Sequence, residues 1–373
     1  METVKIRVEA GAHNRLLTPV EAFIAGVKAE KPVLIDLASG REIPVQVEQV
    51  EGGVKASWLV DWIQAGGARE YELRLNEESS RQGFTLKDEK GRLGIAYRGY
   101  EVAGYVYSEE WSKPYMFPVR GPGGIPVTEN GPADHVHHRS LWVAHGEVNG
   151  QDLWSEHPGR HGKIRHISFK ELSAGPVYAK LVEENVWTGV NGEKLLDETR
   201  FFKIWGHPLE EWIIDAEITF KASYGDVLFA DTKEAGILSI RVAESMKVKN
   251  GGLIVNSAGG INEPETWGRR AHWCDYSGPV SGVWLGIAVF DHPANPGHPT
   301  YWHVRNYGLM TANIFGITYF EKWRGVRGDL RVRSGSSVTF RYRVILHRGT
   351  AFDANLSQRY MDYVNPPRVT VLA

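Results

Sequence analysis

A single cysteine, Cys274, is all the thiol chemistry this chain has, so no intrachain disulfide can form. That fits a reducing compartment, where stability has to come from packing. Charge of neither sign is in excess: 43 Lys and Arg face 45 Asp and Glu, for a net charge of −2. Such a balance leaves no electrostatic footprint for nucleic acid or an anionic membrane. No apolar run approaches the ~18–20 residues a membrane helix needs. The chain enters a strand-like pattern at Val4, Ile6 and Val8 with no charged, apolar leader before it, and a cytoplasmic protein is expected. Also missing are a Gly-rich phosphate loop, a Gly-x-Ser-x-Gly elbow, internal repeats and long Ala/Leu/Glu/Lys stretches. Nucleotide binding and serine-hydrolase chemistry are thereby disfavoured. Cys274, beside Trp273, reads as packed rather than nucleophilic.

What is present leans to β structure. The chain holds 41 Gly and 13 Trp, and aromatics make up 11%. Trp212, Ile214, Ala216, Ile218 and Phe220 alternate with Ile213, Asp215, Glu217 and Thr219, a period of two that marks a half-buried strand. Val338, Phe340, Tyr342, Val344 and Leu346 repeat it, with Arg341 and Arg343 on the other face. Turns such as Val190-Asn191-Gly192 separate the strands. One short helix is expected around Asp353 to Asn365, stopped by Pro366-Pro367.

A chain of 373 residues exceeds one ordinary core. The polar run Asn76 to Gly83 suggests a boundary near residues 76 to 90. The expected organisation is a small N-terminal β-sandwich or barrel domain over 1–80, a core domain over 88–350, and a short helix and tail over 351–373. So many antiparallel strands must hide their edges, and two large stacked sheets do this well. An all-β fold is therefore expected, with a large antiparallel β-supersandwich first and a jelly roll or barrel second.

Four segments carry chemistry. The densest runs from Asp134 through His135, His137, His138, Arg139 and Trp142 to His145, Glu147, Asp152 and Trp154; four of the 14 histidines lie between 135 and 145. On an extended strand His135 and His137 share one face and His138 takes the other. Imidazoles there can move protons or bind a metal, with His145, Glu147 or a distant residue as third ligand. They can equally stack in a crowded core. The second segment is Asp231-Thr232-Lys233-Glu234, where Glu234 is a candidate general base and Lys233 an oxyanion partner, or the group is a solvated charge cluster. The third, Glu263 to Asp275, offers Trp267 and Arg269 as a sugar-binding loop. The fourth, Asp291 to Asn306, brings His303, Arg305 and Asn306 in a Pro/Gly-broken loop.

The run 134–142, the following His145-Gly146-Glu147-Val148-Asn149-Gly150, the Asp231-Thr232-Lys233-Glu234 element, Trp267-Gly268 and the segment from Asp291-His292-Pro293 to Asn306-Tyr307-Gly308 resemble a bacterial family of unknown function. It often carries the label "methane oxygenase PmoA". A true subunit of that oxygenase is a membrane protein, and this chain has no spanning run. The resemblance covers about residues 90 to 350. Residues 1–75, through Thr18-Pro19-Val20, Pro44-Val45-Gln46-Val47 and Trp58-Leu59, resemble the small β domain preceding the supersandwich of some polysaccharide lyases. Together these imply a galactose-mutarotase-like fold and a small-molecule carbohydrate as partner, with a histidine and a carboxylate sharing proton transfer.

The functional expectation is lyase, hydrolase or epimerase chemistry on a small sugar or sugar acid. His137 or His138 acts as acid with His145 nearby, and Glu234 as base. Arg139, Trp142, Asp152, Lys233, Trp267, Arg269, His303, Arg305 and Asn306 bind substrate. Either no cofactor is required, or a divalent metal (Zn or Mn) sits on His135, His137 and Glu147 and polarises a keto-sugar. A non-catalytic sugar-binding sandwich and a homo-oligomer are further expectations. All rest on the four segments meeting in space. His138→Ala is expected to cost no more than ~1–2 kcal/mol of stability, as for a site residue.

Overall fold

The computed structural model describes residues 3–29, 31–75, 82–206 and 211–372. The first residues of the boundary expected near 76–90, 76–81, fall outside them. Alternating apolar residues build the architecture directly. Trp212, Ile214, Ala216, Ile218 and Phe220 of the Trp212–Lys221 strand all enter one core, together with Phe340, Tyr342, Val344 and Leu346 of Ser337–Arg348. Their other faces bury Ile213 and Ile345 in a further core at one end and carry charge pairs in register beyond it: Asp215 opposes Arg343 and Glu217 opposes Arg341. Cross-strand pairs of opposite charge are what an exposed sheet face favours.

These two strands lie at the centre of an eight-stranded sheet running from Lys163–Ala174 to Leu253–Asn256. A nine-stranded sheet packs against it, in the order Arg269–Arg270, Tyr301–Val304, Leu309–Ala312, Ala235–Arg241, Leu141–His145, Tyr115–Val119, Tyr100–Val106, Arg92–Tyr97 and Phe84–Asp88. The strand pairings of both are antiparallel, and the main core draws on both. The fold is all-β and built as a sandwich of large antiparallel sheets. Cys274 is buried in it.

The N-terminal residues form a five-stranded and a three-stranded sheet around a second core that includes Ile6, Val8, Val20, Trp58 and Tyr71. The tail expected at the C-terminus is a strand of that sheet: Arg368–Leu372 pairs with Thr3–Glu9. The helix preceding it, Leu356–Val364, points Asp362 back to accept hydrogen bonds from the Leu16 amide at 3.0 Å and the Thr18 hydroxyl at 2.9 Å. Chain ends far apart in sequence are thus closed onto each other. No helix among the described residues is long and apolar enough to cross a membrane.

Candidate functional site

On the strand Leu141–His145, Leu141 and Val143 enter the main core, while Trp142 and Ala144 lie on the outer face of the nine-stranded sheet. Register carries that outer face across neighbouring strands: Trp142 opposes Ser239, Ser239 opposes Thr311, and Thr311 opposes His303. Paired residues in antiparallel strands share a face. The outer face therefore carries Trp142, Ser239, Arg241, Thr311 and His303 in one patch.

Over it folds the histidine segment, and here the sequence expectation needs correcting. Residues 132–138 are not extended. The His135 amide donates to the Pro132 carbonyl and the His138 amide to the His135 carbonyl, both at 3.0 Å, making two consecutive turns. Pro132 favours turn geometry, and Ser140 at φ 63° swings the chain into the strand that follows. Turns replace the alternation of strand faces, so the rings meet instead of diverging. Tyr307, His135, His138 and Trp142 form a bent column of near-parallel rings: His135 stacks on Tyr307 at 4.7 Å, His138 on His135 at 4.6 Å, and Trp142 on His138 at 5.3 Å, while Tyr307 and His138 lie only 6.4 Å apart because the stack turns at His135. His137 meets His138 edge-on at 4.7 Å.

Arg241, fully buried, anchors the column. Its Nε donates to Glu129 at 2.8 Å, one terminal nitrogen reaches both Asp134 oxygens at 2.7 and 2.8 Å, and the other donates to His138 Nδ1 at 3.2 Å. A guanidinium only donates, so His138 Nδ1 must carry its lone pair, and the ring is neutral with its proton on Nε2. Burial, then His137 and His135, press the His138 pKa far below the ordinary value. Burial tends to raise Asp134, yet the hydrogen bonds from Arg241 and His135 hold it at about 2. His137 is lowered to about 4, by burial first and then by Lys113 and His135. It is the half-buried ring at the rim.

The remaining expected residues separate into those near the column and those elsewhere. Arg139 lies over Trp111 at 4.3 Å and donates Nε to Glu156 at 3.0 Å; buried Lys113 joins the same carboxylate at 3.0 Å. Glu156 is raised by burial but brought to about 2 by Arg139 and Lys113. Arg305 pairs with Glu263 at 2.8 Å and lies 5.4 Å from the centre of the Tyr307 ring. Asn306 accepts the Glu263 amide at 3.1 Å, so the Glu263 and Arg305 segments are laced together. Trp267 donates its indole N–H to His303 Nδ1 at 2.9 Å. His303 is lowered to about 3, by burial and then by Arg305 and Lys233. Lys233 and Glu234 form an ion pair, and Glu234 is close enough to bear on the Tyr307 hydroxyl.

Others do not converge. His145 stands on the inner face of its strand, packed on Phe315 at 4.4 Å and Phe229 at 5.4 Å. It is one odd step from Trp142, so the sheet itself separates it from the column. Glu147 lies past the far end of that strand, exposed and beside Arg327. Five strand residues carry the chain roughly 16 Å away from the turns. His135, His137 and Glu147 therefore do not assemble, and among the described residues no three His, Cys, Asp or Glu side chains gather as a metal set. Asp152 caps its own turn, accepting the Trp154 and Ser155 amides at 2.8 and 2.9 Å. Trp142 is no free platform, since His138 covers its face and Trp154 lies 5.4 Å away. Arg269 opposes Trp302, a core residue, so it projects from the side opposite His303. Asp231 clamps the Thr318 and Gly328 amides at 3.1 and 2.5 Å.

Arg241, Glu129 and Tyr307 are central here and were not among the expected site residues. Arg241 had a signal: Ser239 and Arg241 are polar at period two within the otherwise apolar strand Ala235–Arg241.

Residues 92–361 match the family of unknown function DUF6807. The chain belongs to that family. The match contains the whole column and its supporting residues, and it carries no activity name. No curated protein matches the sequence. Among solved structures, an alpha-mannosidase from Enterococcus faecalis V583 is similar at 9% identity and a TM-score of 0.44 over all of this chain. This chain spans only 46% of that protein's length.

Proposed function

We propose that this DUF6807 protein is a carbohydrate-active enzyme using acid–base chemistry, with its site at the rim of the Tyr307–His135–His138–Trp142 column. The observation that carries the reading is His137. It is half-buried at the rim, and among the described residues its ring nitrogens have no protein hydrogen bond. Burial keeps it neutral at pH 7, so it is available to take a proton. The Glu156 carboxylate, held ionised by Arg139 and Lys113, favours the imidazolium that forms. The half-buried ring edges of Tyr307 and His135 offer apolar surface against which pyranose C–H groups pack.

The ion pairing narrows the substrate. Arg139 is matched by Glu156, Arg305 by Glu263, and Arg241 by Asp134 and Glu129. Saturated guanidiniums have little left for a substrate carboxylate, so a neutral sugar is favoured over a sugar acid. The same saturation favours, as a second reading, a site that binds sugar without turning it over.

The test is a thermal-shift screen of neutral and acidic sugars, followed by turnover of any hit by wild type and His137→Ala. Neutral sugars are expected to bind, and the variant is expected to keep binding while losing turnover by about 100-fold or more. Binding by uronic acids alone overturns the neutral-sugar assignment. Undiminished turnover in the variant removes His137 from the chemistry.

A further inference from the structure

A second histidine group lies away from this column, where the loop following Val283–Asp291 meets the strand Trp273–Val280 and the helix Leu356–Val364. Asp291 is 1% exposed. Its Oδ2 accepts the His298 Nδ1 proton at 2.7 Å and the Thr300 amide at 2.8 Å, and its Oδ1 accepts the Asn295 side-chain N–H at 2.8 Å. Asn295 is itself pinned to the Arg341 backbone at 2.6 and 2.7 Å. The carboxylate thus fixes His298 as the Nδ1–H tautomer and leaves a lone pair on Nε2. That lone pair faces His272 Nδ1 at 3.2 Å. His272 is held by its amide on the Ser257 hydroxyl at 2.8 Å, and Arg270 grips the carbonyls of Gly297 and Pro299, both at 2.9 Å.

The two nitrogens share one hydrogen bond, and their separation also matches that of two imidazole ligands on one cation. With Zn–N of about 2.0–2.1 Å and tetrahedral angles, two ligand nitrogens sit roughly 3.3 Å apart. A buried carboxylate behind one imidazole is the usual outer-shell support of a metal-bound histidine. We propose that His272 and His298 bind a borderline divalent cation of the zinc, nickel and copper class. No third His, Cys, Asp or Glu joins them among the described residues, so water takes the remaining positions. The Tyr360 hydroxyl, 3.4 Å from His272 Nδ1, borders the site. On binding, His272 shifts its proton from Nδ1 to Nε2 and no net proton is released. Two imidazoles without a directly facing carboxylate do not suit hard cations, so magnesium and calcium should not compete.

The experiment is calorimetric titration of chelator-treated, tag-free full chain with zinc chloride and nickel chloride, with magnesium chloride as control. The same runs use His272→Ala, His298→Ala, Asp291→Asn and the double variant His135→Ala/His137→Ala. One zinc per chain is expected, with no response to magnesium. The two single alanine variants should lose saturable binding, and Asp291→Asn should weaken it by 10–100-fold, as outer-shell changes do. The double variant should bind as wild type. Circular dichroism of each variant separates loss of ligand from loss of fold, and His272, being exposed, can be replaced without disturbing a core. Absence of saturation below about 1 mM in wild type overturns the proposal. So does binding that survives His272→Ala or vanishes in the double variant.

Discussion

Two histidine groups in this protein use the same side chain in opposite ways. In the column on the nine-stranded sheet, His135 and His138 meet face to face, and the nitrogen of His138 that could act is occupied by Arg241. In the Asp291 group, His272 and His298 meet nitrogen to nitrogen, with a carboxylate behind. Faces pack and stabilise; edges bind and transfer. What each group can do follows from orientation, and orientation is set by the backbone that carries it. Consecutive turns bring neighbouring rings into a stack, whereas two separate segments bring ring edges together across a gap.

Breaking the first arrangement at its anchor should have the largest effect. Arg241→Ala empties a fully buried guanidinium site and removes its hydrogen bonds to Asp134, Glu129 and His138, leaving Glu129 with Lys247 alone, and a loss of about 3–5 kcal/mol is expected in urea unfolding. A loss under about 1 kcal/mol would show that the column stands without it. His138→Ala comes next. The ring is 1% exposed, lies against His135 and Trp142, and accepts from Arg241, so roughly 2–4 kcal/mol should be lost. This exceeds what the sequence suggested for the same change. His272→Ala, by contrast, should cost less than about 1 kcal/mol without metal, because the residue is exposed. Equal costs for the two histidines would erase the contrast between face and edge.

Acid sharpens the comparison further. His145, His303 and His137 have folded pKa values of about 3, 3 and 4 against an ordinary 6.5. The unfolded chain then binds protons that the folded chain refuses. Stability is therefore full above pH 6.5 and falls as pH drops toward 3. Glu156, at about 2 in the folded state, adds a second loss as pH falls from its ordinary 4.5 toward 2. Unfolding free energy should hold level from pH 8 to about 6.5 and decline from there to pH 3, and His303→Gln should flatten the upper part of that decline. A flat profile in the wild type would contradict the buried neutral histidines. The smallest effect is expected at Arg341→Ala, which removes a half-exposed cross-strand pair with Glu217 and should cost about 0–1 kcal/mol in the same assay.

The alternating strands were legible because burial of one sheet face writes a period of two into the sequence, as at Trp212–Lys221 and Ser337–Arg348. The short helix before Pro366 was legible for an equally local reason. The histidine segment was visible as a dense patch, yet its geometry was misread, since a turn and a strand can carry the same residues. Arg269 and His145 were placed in the site by composition alone; strand register puts them on the wrong faces. Tyr307 lies in the segment ending Asn306-Tyr307-Gly308, and Arg241 is marked only by its polar position in an apolar strand; which carboxylates and rings each meets is not written locally.

The sequence by itself determined the balance of charge, the absence of disulfides, the all-β character and the strand faces, because each depends on composition or on spacing along the chain. Only the tertiary structure decided which carboxylate meets which guanidinium and which ring edge meets which nitrogen. The partners of Arg241 lie at residues 129, 134 and 138, and those of His298 at 272 and 291. Such pairs are joined by sheet register and loop closure, and neither leaves a mark on the residues between them.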